Sequence, residues 1–542
     1  MKTNVLYYGD NLSILRNGDY FPDESVDLVY LDPPFNSKRD YNLLFKEKAQ
    51  WSEAQVKAFG DSWHWTETTE AAYRDVIINA PLKLSKLVEG MVEGAGGSGG
   101  WLGRNDVTAY LVMMALRLQE LHRVLKKTGS LYLHCDPTAS HYLKLVLDQI
   151  FGPTNFRNEL VWKRTQAHND PKRCGNVHDV ILNFVKDSGQ AFWCGGGHRV
   201  SEEYLKSHYF KVDDQGRHYQ LVVCHAPGPG PARIFFGKTI DPPLGRHWTW
   251  TQENIDKLIA EGRIVQTRTG GLRLIQYAPD AVPLQDIWAD IDPVNSQAKE
   301  RLGYETQKPL ALLERIIQAS SNENDIVLDP FCGCGTAVVA AHKLKRCWIG
   351  IDITHLAIAV MRNRLEGSFP GIKVEVVGEP ADVAGARALA HQKPDGRYQF
   401  QWWALSLVKA RPVGERKKGA DQGIDGFIPF LDDHGGTVRR AVVQVKSGHV
   451  GVKDIRELKD VASKEAMGVL ITLEPPTRDM EMEALGAGTY HSPLWDKDYP
   501  RIQILTIEDL FQGKAVNIPP SNPPFAKASR LRIREGEQPN LV

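Results

Sequence analysis

The sequence predicts an α/β protein, with a doubly wound, Rossmann-like sheet as its main domain and a second, smaller α/β domain behind it. Three observations lead to this fold class. Apolar strand-like runs end in acidic residues, stretches with helical spacing separate them, and a Gly-rich turn follows one strand. The 542 residues suffice for two or three domains, each able to bury its own core.

The elements of the main sheet alternate as this fold requires. Lys126, Lys127 and Gly129 suit the C-terminus of a helix and are expected to close the first long one. We predict strands at 4–8, 26–31, 130–134, 327–329 and 346–352, and helices at 111–125 and through 142–147.

Changes of composition divide the chain further. The insert is rich in Gly, Pro, aromatic and basic residues, and the tail is rich in Pro and mixed charges. We predict a main domain from 1–189 and 287–367, an inserted module at 190–286, a linker at 368–397, a second domain at 398–513 and a poorly ordered tail at 514–542.

Composition narrows the class of protein. The net charge is +0, so any nucleic-acid binding must depend on local basic patches rather than on the total charge. The 7 cysteines are scattered, as is typical of reduced thiols in a cytoplasm. We see no membrane-spanning run and no signal-peptide pattern, and therefore predict a cytoplasmic protein with no membrane partner.

Two motifs carry the functional prediction. Asp32-Pro33-Pro34-Phe35 follows the apolar run 26–31, and Asp329-Pro330-Phe331-Cys332-Gly333-Cys334-Gly335-Thr336 follows the apolar pair at 327–328. Together they resemble the catalytic and cofactor motifs of the β-class DNA adenine methyltransferases, in that order. The likeness extends from Tyr7 to Leu365 and includes type III modification subunits. It implies S-adenosylmethionine as cofactor and double-stranded DNA as partner.

The second motif suits a cofactor loop. Glycines there let a backbone approach a ligand closely, and Asp352, at the end of the next predicted strand, can accept hydrogen bonds from both ribose hydroxyls. A glycine loop and an acid would equally suit a nicotinamide cofactor, and the partner motif at Asp32 favours S-adenosylmethionine. The resemblance further implies that Asp10 contacts the cofactor's adenine, and Thr306 and Lys308 its methionine part. The predicted cofactor-binding residues are Asp10, Thr306, Lys308, Asp329, Phe331, Gly333, Gly335, Thr336 and Asp352.

The first motif suits activation of an amine. The Asp32 carboxylate and the Pro33 carbonyl can accept both N–H groups of the exocyclic amine of adenine, and this frees its lone pair for in-line attack on a sulfonium methyl. Pro33 and Pro34 stiffen the turn, and Phe35 can stack on a flipped base. A second Asp-Pro-Pro, at Asp241, lacks the aromatic residue and is interpreted as a structural turn.

The insert is, by analogy, the target-recognition region, with Arg and aromatic residues suited to phosphate and base contacts. Zinc could use four of six Cys and His side chains in or beside it, but the spacings lack short Cys pairs, and unligated side chains are the preferred interpretation. These six are Cys174, His178, Cys194, His198, Cys224 and His225. Cys332 and Cys334 belong to the cofactor loop.

The second domain resembles the Mrr-like branch of the PD-(D/E)xK nucleases, from about Tyr398 to Leu510. On that resemblance Asp425 and Gln444 ligate magnesium and Lys446 helps to activate water. Strand alternation places Gln444 and Lys446 on one face. The residues 400–404, Phe-Gln-Trp-Trp-Ala, lack the acid often found there.

We therefore expect a DNA adenine methyltransferase of a restriction–modification or phage-defence system, fused to a magnesium-dependent nuclease domain. Three alternatives stay open: a nuclease fold that only binds DNA, an exocyclic-amine cytosine methyltransferase, and a DNA-binding protein with a dead methyltransferase fold. A homodimer, or a restriction or specificity subunit as partner, is compatible with the sequence.

Overall fold

The computed structural model describes residues 1–34, 41–43, 56–59, 65–94, 99–166, 174–194, 197–199, 202–279, 281–295, 300, 307–392, 396–412, 424–432 and 438–520. The chain divides into two compact units. One spans 195–285, and the other comprises the residues on either side of it.

Within the described part of residues 1–194 the chain forms seven strands and five α-helices. The strands are β1 Val5–Tyr8, β2 Val26–Leu31, β3 Tyr41–Leu43, β4 Val56–Phe59, β5 Leu125–Cys135, β6 Phe156–Lys163 and β7 His178–Val185. The helices are α1 Asn11–Arg16, α2 Glu67–Asn79, α3 Leu82–Val92, α4 Asp106–Val124 and α5 Pro137–Phe151.

The unit at 195–285 consists mainly of short antiparallel pairs. Its elements are β8 Gly197–Arg199, α6 Glu202–His208, β9 Lys211–Val212, β10 His218–Val223, β11 His225–Pro227, β12 Arg233–Phe235, β13 Lys238–Ile240, β14 Arg246–Trp248, α7 Gln252–Ala260, β15 Ile264–Gln266, β16 Leu272–Tyr277 and β17 Ala281–Pro283.

The rest of the chain completes the main sheet and builds the second domain. The strands are β18 Ile287–Trp288, β19 Ile326–Asp329, β20 Cys347–Asp352, β21 Glu375–Val377, β22 Arg411–Pro412, β23 Gly426–Leu431, β24 Val438–Lys446, β25 Met467–Thr472, β26 Thr489–Ser492, β27 Lys497–Pro500 and β28 Ile502–Thr506. The helices are α8 Leu310–Ser320, α9 Thr336–Lys343, α10 His355–Ser368, α11 Val383–His391, α12 Gly396–Leu407, α13 Val452–Lys464, α14 Arg478–Leu485 and α15 Ile507–Phe511.

The main sheet has nine strands in the order β18-β6-β7-β5-β2-β19-β20-β1-β21. Strand β7 runs antiparallel to both of its neighbours, and the other neighbouring pairs are parallel. Alternation along β2 directs Val29 and Leu31 into the core that contains α2–α5, and Leu28 and Tyr30 into the core that contains α8–α10. Helices therefore cover both faces, and the predicted doubly wound α/β sheet is confirmed.

The second domain is built on a five-stranded mixed sheet in the order β22-β23-β24-β25-β28. One face packs against α11 and α12 and the other against α13 and α14. This is the smaller α/β layer structure that the sequence predicts.

The segment 368–397, predicted as a linker, contains strand β21 and helix α11. Strand β21 adds to the main sheet beside β1. In α11, Ala386, Leu389 and Ala390 are buried against Phe400 and Trp403. Their i, i+3, i+4 spacing gives one apolar helix face, which an Ala- and Gly-rich composition had concealed.

Two further boundaries differ from the predictions. Strand β5 begins directly after α4, so Lys126, Lys127 and Gly129 lie in a strand rather than at a helix end. In the predicted tail, Val516 and Ile518 pack against the second domain, and the Gln503 side chain pairs with the backbone of Asn517 at 2.9 Å. Residues 521–542 lie outside the described residues.

No helix in the described part of the chain is both long enough and apolar enough to cross a membrane.

The central strands should carry much of the stability of the main domain. Ile349 is fully buried in β20, between β19 and β1. We expect Ile349→Ala to lower the free energy of unfolding by about 2–5 kcal/mol, because it removes buried methyl groups and leaves a cavity. Ile78→Ala is the matched control, since Ile78 is exposed on α2 and its change should stay within about 0.5 kcal/mol. Urea denaturation checks both, and equal effects would contradict the burial argument.

Candidate functional site

Four predicted site residues meet at one edge of the main sheet. Strands β2, β19, β20 and β1 are neighbours in that order and run parallel. Asp32 follows β2, Asp329 and Asp352 end β19 and β20, and Asp10 follows β1. Carboxyl ends of parallel strands form the ligand-binding edge of an open α/β sheet. Residues from both ends of the main domain's sequence therefore share one edge.

Asp32 forms an ion pair with Lys308. Lys308 Nζ lies 2.5 Å from Asp32 Oδ2, and the two side chains are 10% and 19% exposed, the lysine first. A charge-assisted hydrogen bond in such a partly buried place fixes the direction of the carboxylate. Two residues that were predicted to have different roles thus form one group.

The neighbours of this pair are described only in part. Pro33 is buried and Pro34 is half-buried. The predicted stacking residue Phe35 and the predicted cofactor residue Thr306 lie outside the described residues.

Asp329 is a buried scaffold carboxyl. Its Oδ1 accepts a hydrogen bond from the Phe331 backbone N–H at 3.1 Å, and its side chain is almost completely buried. Burial raises the pKa of Asp329 well above its usual range, and the nearby carboxylates Asp32 and Asp352 raise it further. Its hydrogen bond to Phe331 shapes the turn after β19.

The loop after Asp329 needs its glycines. Gly333 and Gly335 have φ values of +47° and +74°, which residues with a Cβ atom rarely adopt. A Cβ on Gly335 would also lie 2.6 Å from Cγ of Met361. Thr336 opens α9, and its hydroxyl oxygen accepts a hydrogen bond from Arg364 Nη1 at 3.0 Å. The predicted cofactor loop is therefore a tight turn, and the hydrogen bond from Arg364 of α10 holds its end in place.

Asp352 links this loop to the next one. Its Oδ2 accepts from Gly333 N–H at 2.9 Å, and its Oδ1 accepts from the backbone N–H and the hydroxyl of Thr354, both at 2.9 Å. Burial raises the pKa of Asp352 to about 6, although these hydrogen bonds act in the opposite direction. Its ionisation therefore changes within an accessible pH range.

Asp10 has a structural role that the sequence did not reveal. Its Oδ2 caps α1 by accepting from the backbone N–H and the hydroxyl of Ser13, and its Oδ1 pairs with Arg117 Nη2 at 2.6 Å. Arg117 Nε also donates to Asn11 Oδ1 at 2.6 Å, and Asn11 Nδ2 donates to the Pro330 carbonyl at 2.7 Å. This network ties the β1 loop to the β19 loop.

Sequence reasoning missed Arg117 and Arg364. Arg117 lies within the apolar part of α4, and Arg364 is nearly buried on α10. A cation inside an apolar helical stretch needs a buried partner, and this signal could have identified Arg117; Arg364 stands among polar residues of α10 and gives no such signal.

A buried polar chain lies next to Asp32. The Tyr30 hydroxyl is 3.1 Å from His134 Nδ1, and His134 Nε2 is 3.1 Å from Asp179 Oδ2. Burial raises the pKa of Tyr30 and lowers that of His134. Burial would raise the pKa of Asp179 too, but the hydrogen bond with His134 and the charge of Lys308 leave it lowered. Neutral Tyr30 and His134 and an ionised Asp179 therefore support the strand that presents Asp32.

Of the three predicted nuclease residues, Gln444 and Lys446 lie in β24, and Asp425 directly precedes the neighbouring strand β23. Asp425 precedes β23, and its Oδ2 accepts the backbone N–H of Val445 at 2.6 Å. Gln444 is buried, and its Oε1 has no hydrogen-bond partner among the described residues. Lys446 Nζ lies 3.3 Å from Asp454 Oδ1 of α13.

The described part of the chain does not support a metal at these residues. It holds no group of three or more His, Cys, Asp or Glu that could bind a metal ion. Gln444 is neutral, and one oxygen of Asp425 is bound to backbone. The predicted magnesium at Asp425 and Gln444, and the water activation predicted for Lys446, thus find no support here.

Two of the three cysteines considered as zinc ligands have other surroundings. Cys224 is fully buried in the apolar core of the unit at 195–285. Cys194 Sγ donates to the Gln318 carbonyl at 3.0 Å.

Two family models match the chain. The model of the N6/N4 methyltransferases, described as DNA methylase, matches residues 26–362. A second model, described as NACHT-associated inactive Restriction Endonuclease 1, matches residues 401–512. The sequence prediction of an Mrr-like nuclease is thus supported only as far as a relationship to an inactive restriction-endonuclease family.

Individual relatives cover part of the chain. The type II methyltransferase M.EcaI of Enterobacter cloacae is 34% identical over 47% of this chain and 57% of its own length. The Mod subunit of the type III restriction-modification enzyme StyLTI of Salmonella typhimurium is 25% identical over 63% of this chain and 50% of its own length. The chain thus spans about half the length of these two relatives.

Among solved structures, a protein of Thermus thermophilus named as a putative DNA modification methylase was determined with S-adenosyl-L-methionine. The match covers 69% of this chain and 97% of that protein, with 16% identity and a TM-score of 0.33.

Gly335 provides a test of the loop geometry. We expect Gly335→Ala to lower the free energy of unfolding by at least about 1–2 kcal/mol, because alanine resists a positive φ and its Cβ would clash with Met361. Gly367→Ala is the control. Gly367 lies in α10 with open space around it, so alanine should be neutral or stabilising. Thermal denaturation checks the pair, and a harmless Gly335→Ala would refute the described turn.

Proposed function

Because the chain belongs to the N6/N4 DNA methylase family, we propose that it transfers a methyl group from S-adenosylmethionine to the exocyclic amine of an adenine flipped out of double-stranded DNA. The observation that carries the proposal is the meeting of Asp32 and Lys308 beside the Asp329–Thr336 turn at one sheet edge. That edge brings an acceptor for an amine next to a turn that contains two glycines.

The residues at this edge suit the cofactor. The Asp352 carboxylate would accept hydrogen bonds from the ribose hydroxyls, and the glycine turn at 333–335 would let the cofactor approach the backbone. Asp10 would lie beside the adenine, and Lys308, with Thr306, near the methionine part. S-adenosylmethionine, when bound, supplies a methyl group on a positively charged sulfur.

Asp32 would then prepare the amine. Its carboxylate and the Pro33 carbonyl would each accept an N–H, so that the nitrogen lone pair leaves conjugation with the ring. Lys308 holds the carboxylate in place, and the proton that the amine loses would leave through the hydrogen bond to Asp32. Phe35 would stack on the flipped base. Orientation and charge placement supply the catalysis.

Adenine is proposed over cytosine because an acidic residue precedes the two prolines at Asp32. An amine of cytosine, methylated at N4, is the alternative within the same family. The unit at 195–285 is proposed as the target-recognition region. A restriction subunit is a proposed partner, since the StyLTI relative is named a Mod subunit.

For the second domain we propose a DNA-binding or partner-binding role without cleavage. Three observations support this. Gln444 is neutral and its Oε1 has no partner among the residues that the structure describes, Lys446 is engaged with Asp454, and the matching family is described as inactive. The active magnesium-dependent nuclease predicted from the sequence is the competing function.

The first prediction from the proposed function concerns Asp32. We expect Asp32→Ala to reduce methyl transfer at least about 100-fold and to leave S-adenosylmethionine binding largely unchanged, since the variant loses the acceptor for the amine. Transfer of tritiated methyl groups to unmethylated bacterial DNA and isothermal titration check both. Asp241→Ala, at the other Asp-Pro-Pro, is the matched control and should turn over normally. Normal turnover by Asp32→Ala would refute the assignment.

The second prediction concerns pH. Because the pKa of Asp352 is raised to about 6, the carboxylate is protonated below that pH and loses acceptor capacity for the ribose. The Kd for S-adenosylmethionine should therefore be about ten-fold higher at pH 5 than at pH 7.5. Asp352→Asn should bind more weakly with a flat profile between these values. A wild-type profile without an inflection near 6 would contradict the ribose role.

The third prediction concerns cleavage. Wild-type protein with magnesium, with and without S-adenosylmethionine, should leave supercoiled unmethylated plasmid intact, and Lys446→Ala should behave identically. Agarose electrophoresis checks this. If the wild type cleaves the plasmid and Lys446→Ala does not, the second domain is an active nuclease.

A further inference from the structure

A hairpin in the unit at 195–285 ends in an unusual turn. Strands β12 and β13 pair antiparallel, with Phe235 opposite Lys238. Phe236 and Gly237 form the two-residue turn, with φ values of +51° and +76°. Hairpin turns with two positive φ values favour Asn-Gly or Gly-Gly, because a bulky side chain is strained there. Of the non-glycine residues with positive φ in the part that the structure describes, Phe236 alone is apolar.

The base of the hairpin is held firmly. Phe235 is buried, and its ring lies 4.7 Å from that of Trp248, whose Nε1 donates to the Ile240 carbonyl at 3.0 Å. The Gln252 side chain accepts from the N–H of Ile234 and donates to its carbonyl, both at 2.8 Å. The side-chain amide thus acts as a further strand beside β12. The turn is presented by a fixed support.

The tip itself is exposed and apolar. Phe236 is 50% exposed, and Ile234, two residues before it, is 48% exposed. Glycine or asparagine would satisfy the turn with less strain and without an exposed ring. Strain retained at an exposed position on a well-held support points to a contact function for the side chain.

The charges around the tip favour a polyanion. Between residues 225 and 250 the chain has three basic side chains, Arg233, Lys238 and Arg246, against one acidic side chain, Asp241. Lys238 directly follows the turn and is exposed. Cations beside an exposed aromatic ring combine phosphate contact with base stacking.

We propose that this hairpin is a DNA probe, in which Phe236 inserts as a wedge between bases of the duplex and Lys238 contacts a phosphate. An apolar wedge partly unstacks a base step and bends the duplex. The proposal rests on the function proposed above, because it takes DNA as the substrate, and it names the side chains that contact it.

The test is Phe236→Gly in the full-length protein, with Phe236→Asn as a second variant. Both residues accept a positive φ, so the melting temperature should stay the same or rise. Affinity for a random-sequence duplex of about 40 base pairs should fall about ten-fold with loss of the stacking contact. The slope of log Kd against log salt concentration should be unchanged. Lys238→Ala should instead reduce that slope by about 1.

Leu244→Ala is the matched control, because Leu244 is a fully exposed apolar residue outside the hairpin, and it should bind like the wild type. Wild-type affinity in both Phe236 variants would overturn the wedge, even if methyl transfer is intact. If the Phe236 variants lose ten-fold in DNA affinity but neither they nor the wild type transfer methyl groups, the wedge is supported and the proposed function is refuted. The two hypotheses therefore fail separately.

Discussion

The parallel order of four strands is the constraint on which the site depends. Because β2, β19, β20 and β1 are hydrogen-bonded neighbours with one direction, their carboxyl ends converge although the unit at 195–285 separates β1 and β2 from β19 and β20 in the sequence. Both cores that flank the sheet fix this order. In the sequence that unit lies between β7 and β18, and all nine strands of the main sheet come from the residues on either side of it.

The acidic residues at this edge have different environments, and this separates scaffold from chemistry. Asp329 is buried and favours its neutral form, whereas Asp32 is held by a cation and keeps an exposed fraction. Asp352 bridges two loops and titrates near 6. Aspartate thus has three roles here, which differ with burial and with hydrogen-bond partners. Asp329 supports a turn, Asp32 presents an acceptor, and Asp352 links two loops.

The sequence was sufficient for the residues whose role follows from a strand end. Asp32, Asp329 and Asp352 each close an apolar run, and period and position were enough to place them. The sequence was insufficient for residues whose hydrogen-bond partners are distant in the chain. The partners of Arg117, Arg364 and His134 lie far away in the sequence, and no local pattern identifies them. Composition misled at 368–397, where alanines that resemble a linker form the buried face of α11.

Methylation of adenine in DNA is the function that we propose for this edge. The most direct measurement is mass spectrometry of nucleosides from unmethylated bacterial DNA after incubation with the protein and S-adenosylmethionine. We expect N6-methyladenine that depends on both the protein and the cofactor. N4-methylcytosine in its place, or no methylated base from folded protein that binds the cofactor, would contradict it.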